Sequence, residues 1–285
     1  MKQNRLFSFF QTKERPIILT VHGYGRRRSH EMDNLAAWAK KERFDIIQFD
    51  LYDLFDETDC DPKIWLRRAE EKIKECCQKQ QPLYLVGFSM GGVIASYLAS
   101  LYPVDKLVLV APAFTYLDLS KTAGYLRKGT KHLFHSDGSE EEITVPKSFY
   151  PAFVDIIKNC RDSIASVHCP ILILHGDEDE TIPLKSSLQA YEKIRHAQKR
   201  LIILHEGHHH LLSEPWTANE CYQLILLFFK GEIVTKKRNF APDILDTLRM
   251  QKKEQENIIK SCSFIISIIS VLLPASSFSD PAASG

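Results

Sequence analysis

Gly87-Phe88-Ser89-Met90-Gly91-Gly92 decides the fold. It follows the apolar run Pro82–Phe88 and leads into Met90–Tyr102, where apolar residues recur at three- and four-residue spacing. A strand therefore enters this turn and a helix leaves it. G-x-S-x-G in that setting holds its serine in a strained backbone conformation at the tip of the turn. Side chains at Gly87 and Gly91 would collide with the neighbouring strand and helix, and the helix N-terminus favours negative charge near Ser89. Read as a dinucleotide loop, the segment puts Ser89 where a glycine must let the backbone approach a pyrophosphate. A purely structural turn is the bland alternative.

Working outward, the same arrangement recurs. Pro16–His22, Cys169–His175 and Arg200–His205 are short apolar runs rich in β-branched residues, followed by Gly23 and Gly25, by Gly176, and by Gly207. Phe44–Asp50 and Lys106–Ala111 have the same character. Near-continuous apolar runs predict strands buried on both faces of a parallel sheet. Glu31–Arg43, Pro62–Gln80, Leu184–His196 and Glu214–Lys230 carry helical spacing between them. This alternation predicts an α/β fold, a mostly parallel sheet with helices on both faces and right-handed crossovers. Ligands of such sheets bind beyond the carboxyl ends of the strands, where all four glycine clusters fall.

Residues 16–230 form the expected core, with one interruption. Pro112–His168 is too long for a connector and carries Tyr125, Phe134, Phe149, Tyr150 and Phe153. The expectation is a mostly helical lid, with Phe149 and Phe153 as substrate contacts in an apolar pocket. Residues 231–285 read as a C-terminal helical extension and tail. Its apolar stretch Phe264–Leu273 falls short of the roughly 20 residues a span needs. Packing on the domain or a partner is favoured over membrane contact.

Composition narrows the function classes. The 285 residues are 44% hydrophobic and 26% charged, a globular profile. A net charge of +1 gives no global electrostatic case for nucleic acid. Seven scattered cysteines without a CxxC support neither a disulfide framework nor a cysteine zinc site. Reduced thiols in the cytosol are expected, and the apolar run Leu6–Phe10 is too short for a signal-peptide core. Oligomeric state is left open.

A serine alone is a weak nucleophile and needs a base oriented by a carboxylate. Candidates follow in the order Ser, acid, His. Asp177 and Asp179 lie in the loop His175–Pro183 after one strand, and His205-Glu206-Gly207-His208-His209-His210 follows the last. After the first strand comes His22-Gly23-Tyr24-Gly25, where the Tyr24 N–H, with that of Met90, could stabilise a developing oxyanion. His205-Glu206-Gly207-His208-His209 also satisfies the zinc-protease pattern H-E-x-x-H, but that chemistry needs a helix, and a strand runs directly into this segment. Arg26-Arg27-Arg28 reads as a solvated basic loop, with a role on an anionic head group as the sharper alternative.

With these residues in place, the sequence resembles the α/β-hydrolase family, particularly its small-lid carboxylesterase and monoacylglycerol-lipase-like members. The resemblance runs from about Pro16 to Lys230. It rests on HGYG at 22–25, GFSMGG at 87–92, G-x-x-D-x-x-I-P at 176–183, and Gly207-His208 before Glu214-Pro215. It implies Ser89 as nucleophile, Asp179 as acid, His208 as base, Tyr24 and Met90 at the oxyanion, and no metal or organic cofactor. So little chain precedes the first strand that the family's first two strands read as reduced or missing, and the tail after Gly231 has no counterpart. The expected activity is hydrolysis of a small-molecule carboxylic ester of small to medium acyl chain. Thioester or amide hydrolysis, acyl transfer, and a non-catalytic binding protein of the same fold remain as alternatives.

Overall fold

The computed structural model describes residues 15–115 and 145–234. Within them, six strands form one all-parallel sheet: β1 (Ile17–Val21), β2 (Asp45–Ile47), β3 (Leu83–Phe88), β4 (Lys106–Val110), β5 (Ile171–Gly176) and β6 (Lys199–Leu204). Their order is β2-β1-β3-β4-β5-β6. Each coincides with one of the six apolar runs. Every residue of β1, β3 and β5 is buried, as expected of strands covered on both faces. β2, at one edge, is only three residues long, and Phe44–Asp50 around it is half-covered.

Six helices are described: α1 (Asp33–Lys41), α2 (Pro62–Gln78), α3 (Met90–Leu101), α4 (Phe149–Cys160), α5 (Lys185–Lys193) and α6 (Ala218–Lys230). Leu35 and Ala39 of α1, with Ile225 and Phe228 of α6, pack on the face carrying Ile18, Val86, Val108 and Leu172. Alternate residues such as Leu19, Leu85, Leu107 and Ile173 point the other way, toward the layer containing α2, α3 and α4. The starts and stops follow local chemistry. Asp61 caps α2 by accepting from the Lys63 N–H at 2.8 Å, with Pro62 in the first turn where a missing N–H costs nothing. Gly231, at φ 78, closes α6 in the left-handed conformation. α3 is buried almost all round, because it passes through the centre of its layer.

Order reverses between β1 and β3: the chain leaves β1 to one side for β2, then returns to the other side for β3. The carboxyl ends of those two strands are the topological switch point of the sheet. They deliver His22 and Ser89, respectively.

The insert is only partly described. α4 and the 3₁₀ segment Arg161–Ser166 pack against α3, so this part belongs to the helical layer. Tyr125, Phe134 and the rest of 116–144 lie outside the described residues, as do Leu6–Phe10 and the extension from residue 235 with Phe264–Leu273. No helix among the described residues is long and apolar enough to cross a membrane.

Candidate active site

Ser89 links β3 to α3 at φ 52, ψ −118, a conformation that L side chains rarely adopt. Such strain costs about 1–3 kcal/mol and persists only where surroundings over-determine it. Here its N–H donates to the Val110 carbonyl at 3.0 Å, and its own carbonyl accepts from the N–H groups of Gly92 (3.0 Å) and Ala113 (3.1 Å). The glycines make the turn possible. A Cβ on Gly91 would stand 2.1 Å from the Val21 carbonyl oxygen, and one on Gly87 would stand 2.5 Å from that of Gly91. The serine is thus fixed against the end of β1, nearly buried. Met90 opens α3, so its N–H is a first-turn donor without an intrahelical partner.

The loop after β1 is held from three directions. The Leu51 N–H donates to Nε2 of His22 at 2.9 Å, so the proton is on Nδ1, which donates to the Gly23 carbonyl at 2.7 Å. Burial holds the His22 pKa down at about 4, which keeps the ring neutral for this double role. Tyr52 Oη accepts from the Gly25 N–H at 2.8 Å, and Glu31 Oε2 accepts from the Gly23 N–H at 3.3 Å. Tyr24 sits between two pinned neighbours, its ring 4.9 Å from that of Phe153. Phe149, expected at a pocket wall, is instead fully enclosed, edge-on to Tyr52 (5.3 Å) and Trp65 (5.4 Å). It packs behind the loop, against Trp65 of α2 and against Tyr52, which bonds Gly25.

The candidate acid and base lie on the loops after β5 and β6. Asp179 accepts from the N–H groups of Thr181 (2.9 Å) and Ile182 (2.7 Å) through Oδ1, and its Oδ2 lies 2.9 Å from Nδ1 of His209. Both side chains are nearly inaccessible, 0% and 2% exposed. Burial raises the Asp179 pKa, but His209 and these hydrogen bonds outweigh it, leaving the carboxyl below its ordinary value. Burial likewise lowers His209, and the charges of Asp179 and Glu31 reverse this, so its imidazole is held above its ordinary value.

The carboxylate–imidazole pair expected between Asp179 and His208 is therefore between Asp179 and His209. His208 is 43% exposed, its Nδ1 lying 3.2 Å from the Glu178 carbonyl and 3.4 Å from the Glu180 carboxylate. The reason is the turn at Glu206, with φ 55, and Gly207. Gly207 passes so close to Gly176 that a Cβ there would stand 1.9 Å from the Gly207 oxygen. After this crossing, the Glu214 carboxylate takes the His208 N–H at 3.3 Å, and His209 is the side chain turned inward. Asp177 pairs with exposed His205 at 2.9 Å, away from the buried pair.

His205 and His209, the two histidines of the H-E-x-x-H pattern, thus contact different carboxylates on a non-helical segment. Arg28 is tied to Asp50 at 3.0 Å. Arg27 lines a shallow cleft with Glu31, Phe88, His210, Leu212 and Ser213. Two contributors escape sequence reading. His175, fully buried, leans on Asp179 at 3.5 Å while contacting the Ile182 carbonyl and Ser187; it looked like the end of a strand. Glu31 read as the first residue of an amphipathic helix.

Comparison with known proteins bears on the family and the fold. Residues 66–138 and 140–216, more than half of the chain, match the family Hydrolase_4, described as serine aminopeptidase, S33. A thermostable monoacylglycerol lipase of Bacillus sp. (strain H-257) is 22% identical over 156 residues, 51% of this chain and 62% of that protein. Human protein ABHD12B is 24% identical over 218 residues, 69% of this chain and 56% of that protein. The chain thus spans about three-fifths of the length of these curated relatives. The crystal structure of Paleococcus ferrophilus monoacylglycerol lipase superposes with a TM-score of 0.59 at 15% identity, over 77% of this chain and 96% of that one. The chain belongs to the family Hydrolase_4, serine aminopeptidase, S33, and has the α/β-hydrolase fold.

Proposed function

We propose that the protein is a serine hydrolase acting on small-molecule carboxylic esters of small to medium acyl chain. The observation that carries this is the buried Asp179–His209 pair, whose imidazole packs 4.9 Å from the ring of Phe88, the residue before the strained Ser89. With Nδ1 committed to Asp179, Nε2 of His209 is the ring nitrogen that takes the Ser89 proton as Oγ attacks the carbonyl. The same nitrogen returns the proton to the leaving alcohol. The N–H groups of Tyr24 and Met90 receive the oxyanion, and water cleaves the acyl-enzyme by the reverse proton path. This chemistry needs no metal or organic cofactor.

A second reading, hydrolysis of a peptide amide, draws on the family's description as serine aminopeptidase. Both run on one triad and differ in the leaving group. Labelling with a fluorophosphonate, followed by matched ester and amide substrates of equal acyl group, tests them together. Labelling of the wild type, loss in Ser89→Ala and preferential ester turnover are expected. Preferential amide turnover favours the second reading, and an unlabelled wild type refutes both.

A further inference from the structure

Glu31 has a place in the site that neither the motifs nor the triad explain. It sits in the 3₁₀ turn Arg28–Met32, one residue before the buried Met32. A glutamate on a short surface turn ordinarily reaches for water. This one turns inward: Oε2 accepts from the Gly23 N–H at 3.3 Å, and Oε1 lies 3.4 Å from where a Gly25 Cβ would stand. Its carboxyl also lines the cleft shared with Arg27, Phe88 and His210. The turn that carries it is tightly held. Ser29 donates to Asp50 through its N–H (3.0 Å) and hydroxyl (2.5 Å), Gln48 donates to the Ser29 carbonyl (2.9 Å), and Arg28 pairs with Asp50.

We propose, on the basis of the serine-hydrolase reading, that Glu31 is a positioning residue: its carboxylate holds the oxyanion loop through the Gly23 N–H and supplies a second negative charge to the His209 imidazolium. Asp179 acts on that ring by direct hydrogen bond, and Glu31 acts through space. Two features of the electrostatics agree. Burial pushes the Glu31 pKa up to about 7, so its charge is complete only above neutral pH, and His209 stands ahead of Arg27 among the charges opposing that rise. Glu31 in turn helps to raise His209. The other groups facing the pair are Arg27 and Tyr52 at Glu31, and Asp179, Glu180, His175 and His210 at His209. A single substitution at Glu31 leaves all of them in place.

The sign is fixed by charge. A negative neighbour favours imidazolium, so removing it lowers the His209 pKa and carries the acid limb of reactivity to lower pH. Glu31→Gln keeps an oxygen for the Gly23 N–H and removes only the charge; Glu31→Asp keeps the charge. The test is ¹⁵N NMR titration of the histidine imidazoles in the full chain, with His209 assigned through His209→Asn, beside the pH dependence of fluorophosphonate labelling. In Glu31→Gln the His209 midpoint and the labelling limb should both fall by about half to one pH unit, with Glu31→Asp nearer the wild type.

A His209 midpoint within about 0.2 pH unit of wild type in Glu31→Gln, or an equal shift in both variants, overturns the proposal. The titration needs no turnover, so it answers even if the wild type fails to label, an outcome that refutes the hydrolase reading separately. If Glu31→Gln does not fold, ¹³C titration of the wild-type Glu31 carboxyl decides. A shared inflection with His209 supports the coupling, and an independent carboxyl in the ordinary range overturns it.

Discussion

The sharpest perturbation separates two adjacent histidines. His209→Ala removes a ring bonded to Asp179 at 2.9 Å and packed against Phe88 at 4.9 Å between ring centroids. It abolishes the proton carrier, and loss of the base in a comparable triad costs about a millionfold in kcat. It also leaves Asp179, with 0% exposure, a buried carboxylate missing one partner. Breaking such a pair costs roughly 3–5 kcal/mol, so His209→Gln is the better-folded companion. His208→Ala removes a ring that is 43% exposed and whose contacts are the Glu178 carbonyl and the Glu180 carboxylate. Exposed pairs of this kind contribute about 0–1 kcal/mol, and turnover should stay within about twofold. Initial rates on a short-chain ester, with fluorophosphonate labelling and melting curves as controls for folding, measure both variants. An inactive, folded His208→Ala beside an active His209→Ala would refute the assignment of the inward ring.

Three further outcomes follow from the same geometry. Asp179→Asn should reduce turnover about ten-thousandfold, as in a comparable triad, whereas Asp177→Asn, which frees only exposed His205, should leave steady-state rates nearly unchanged. Gly176→Ala places a Cβ 1.9 Å from the Gly207 oxygen, against 3.4 Å for ordinary contact, so the loops carrying acid and base must part by about an ångström or more. A misplacement of that size costs about a hundredfold in kcat, with the Glu178 N–H bond to Gly207 weakened as well. Because His209 must be neutral to accept a proton and its pKa is held up, kcat/KM should rise with pH through an inflection above the ordinary histidine value of about 6.5. An inflection below that value would contradict the balance of charges around the ring.

The sheet was legible because burial on both faces leaves an unmistakable trace: six apolar runs, each ending at a turn or glycine cluster, became six parallel strands. The turn at Ser89 was legible for a similar reason, since Gly87 and Gly91 have almost no alternative where Cβ atoms would meet backbone at 2.5 and 2.1 Å. Residues 207–210 are different in kind. They form neither helix nor strand, so no period says which of three consecutive histidines faces inward. The direction is set by Glu206 at φ 55 and by the crossing of Gly207 over Gly176, a contact between segments about thirty residues apart. Phe149 misled for a related reason: an aromatic in an insert looks like a pocket wall until Tyr52 and Trp65, from other segments, close around it.

The loop at Gly23–Gly25 shows what this packing achieves chemically. An oxyanion donor helps only if its direction is fixed before charge develops, since reorganising a dipole during reaction consumes the stabilisation it offers. Glycine-rich backbone is the least suited to hold a direction alone, having the most conformational freedom to lose. Here the freedom is removed from outside. His22 is locked between Leu51 and Gly23, Tyr52 binds both the N–H and the carbonyl of Gly25, and Glu31 takes the Gly23 N–H. Behind Tyr52 stand Trp65 at 4.5 Å and Phe149 at 5.3 Å, so rigidity is carried from the core of the helical layer to the loop. The glycines let α3 and the Ser89 turn come close to the end of β1, and the aromatic and polar anchors restore the order that glycine alone would lack. On the proposed reading, the donors at Tyr24 and Met90 are then stationary while Ser89, on its strained turn, faces the reacting carbon.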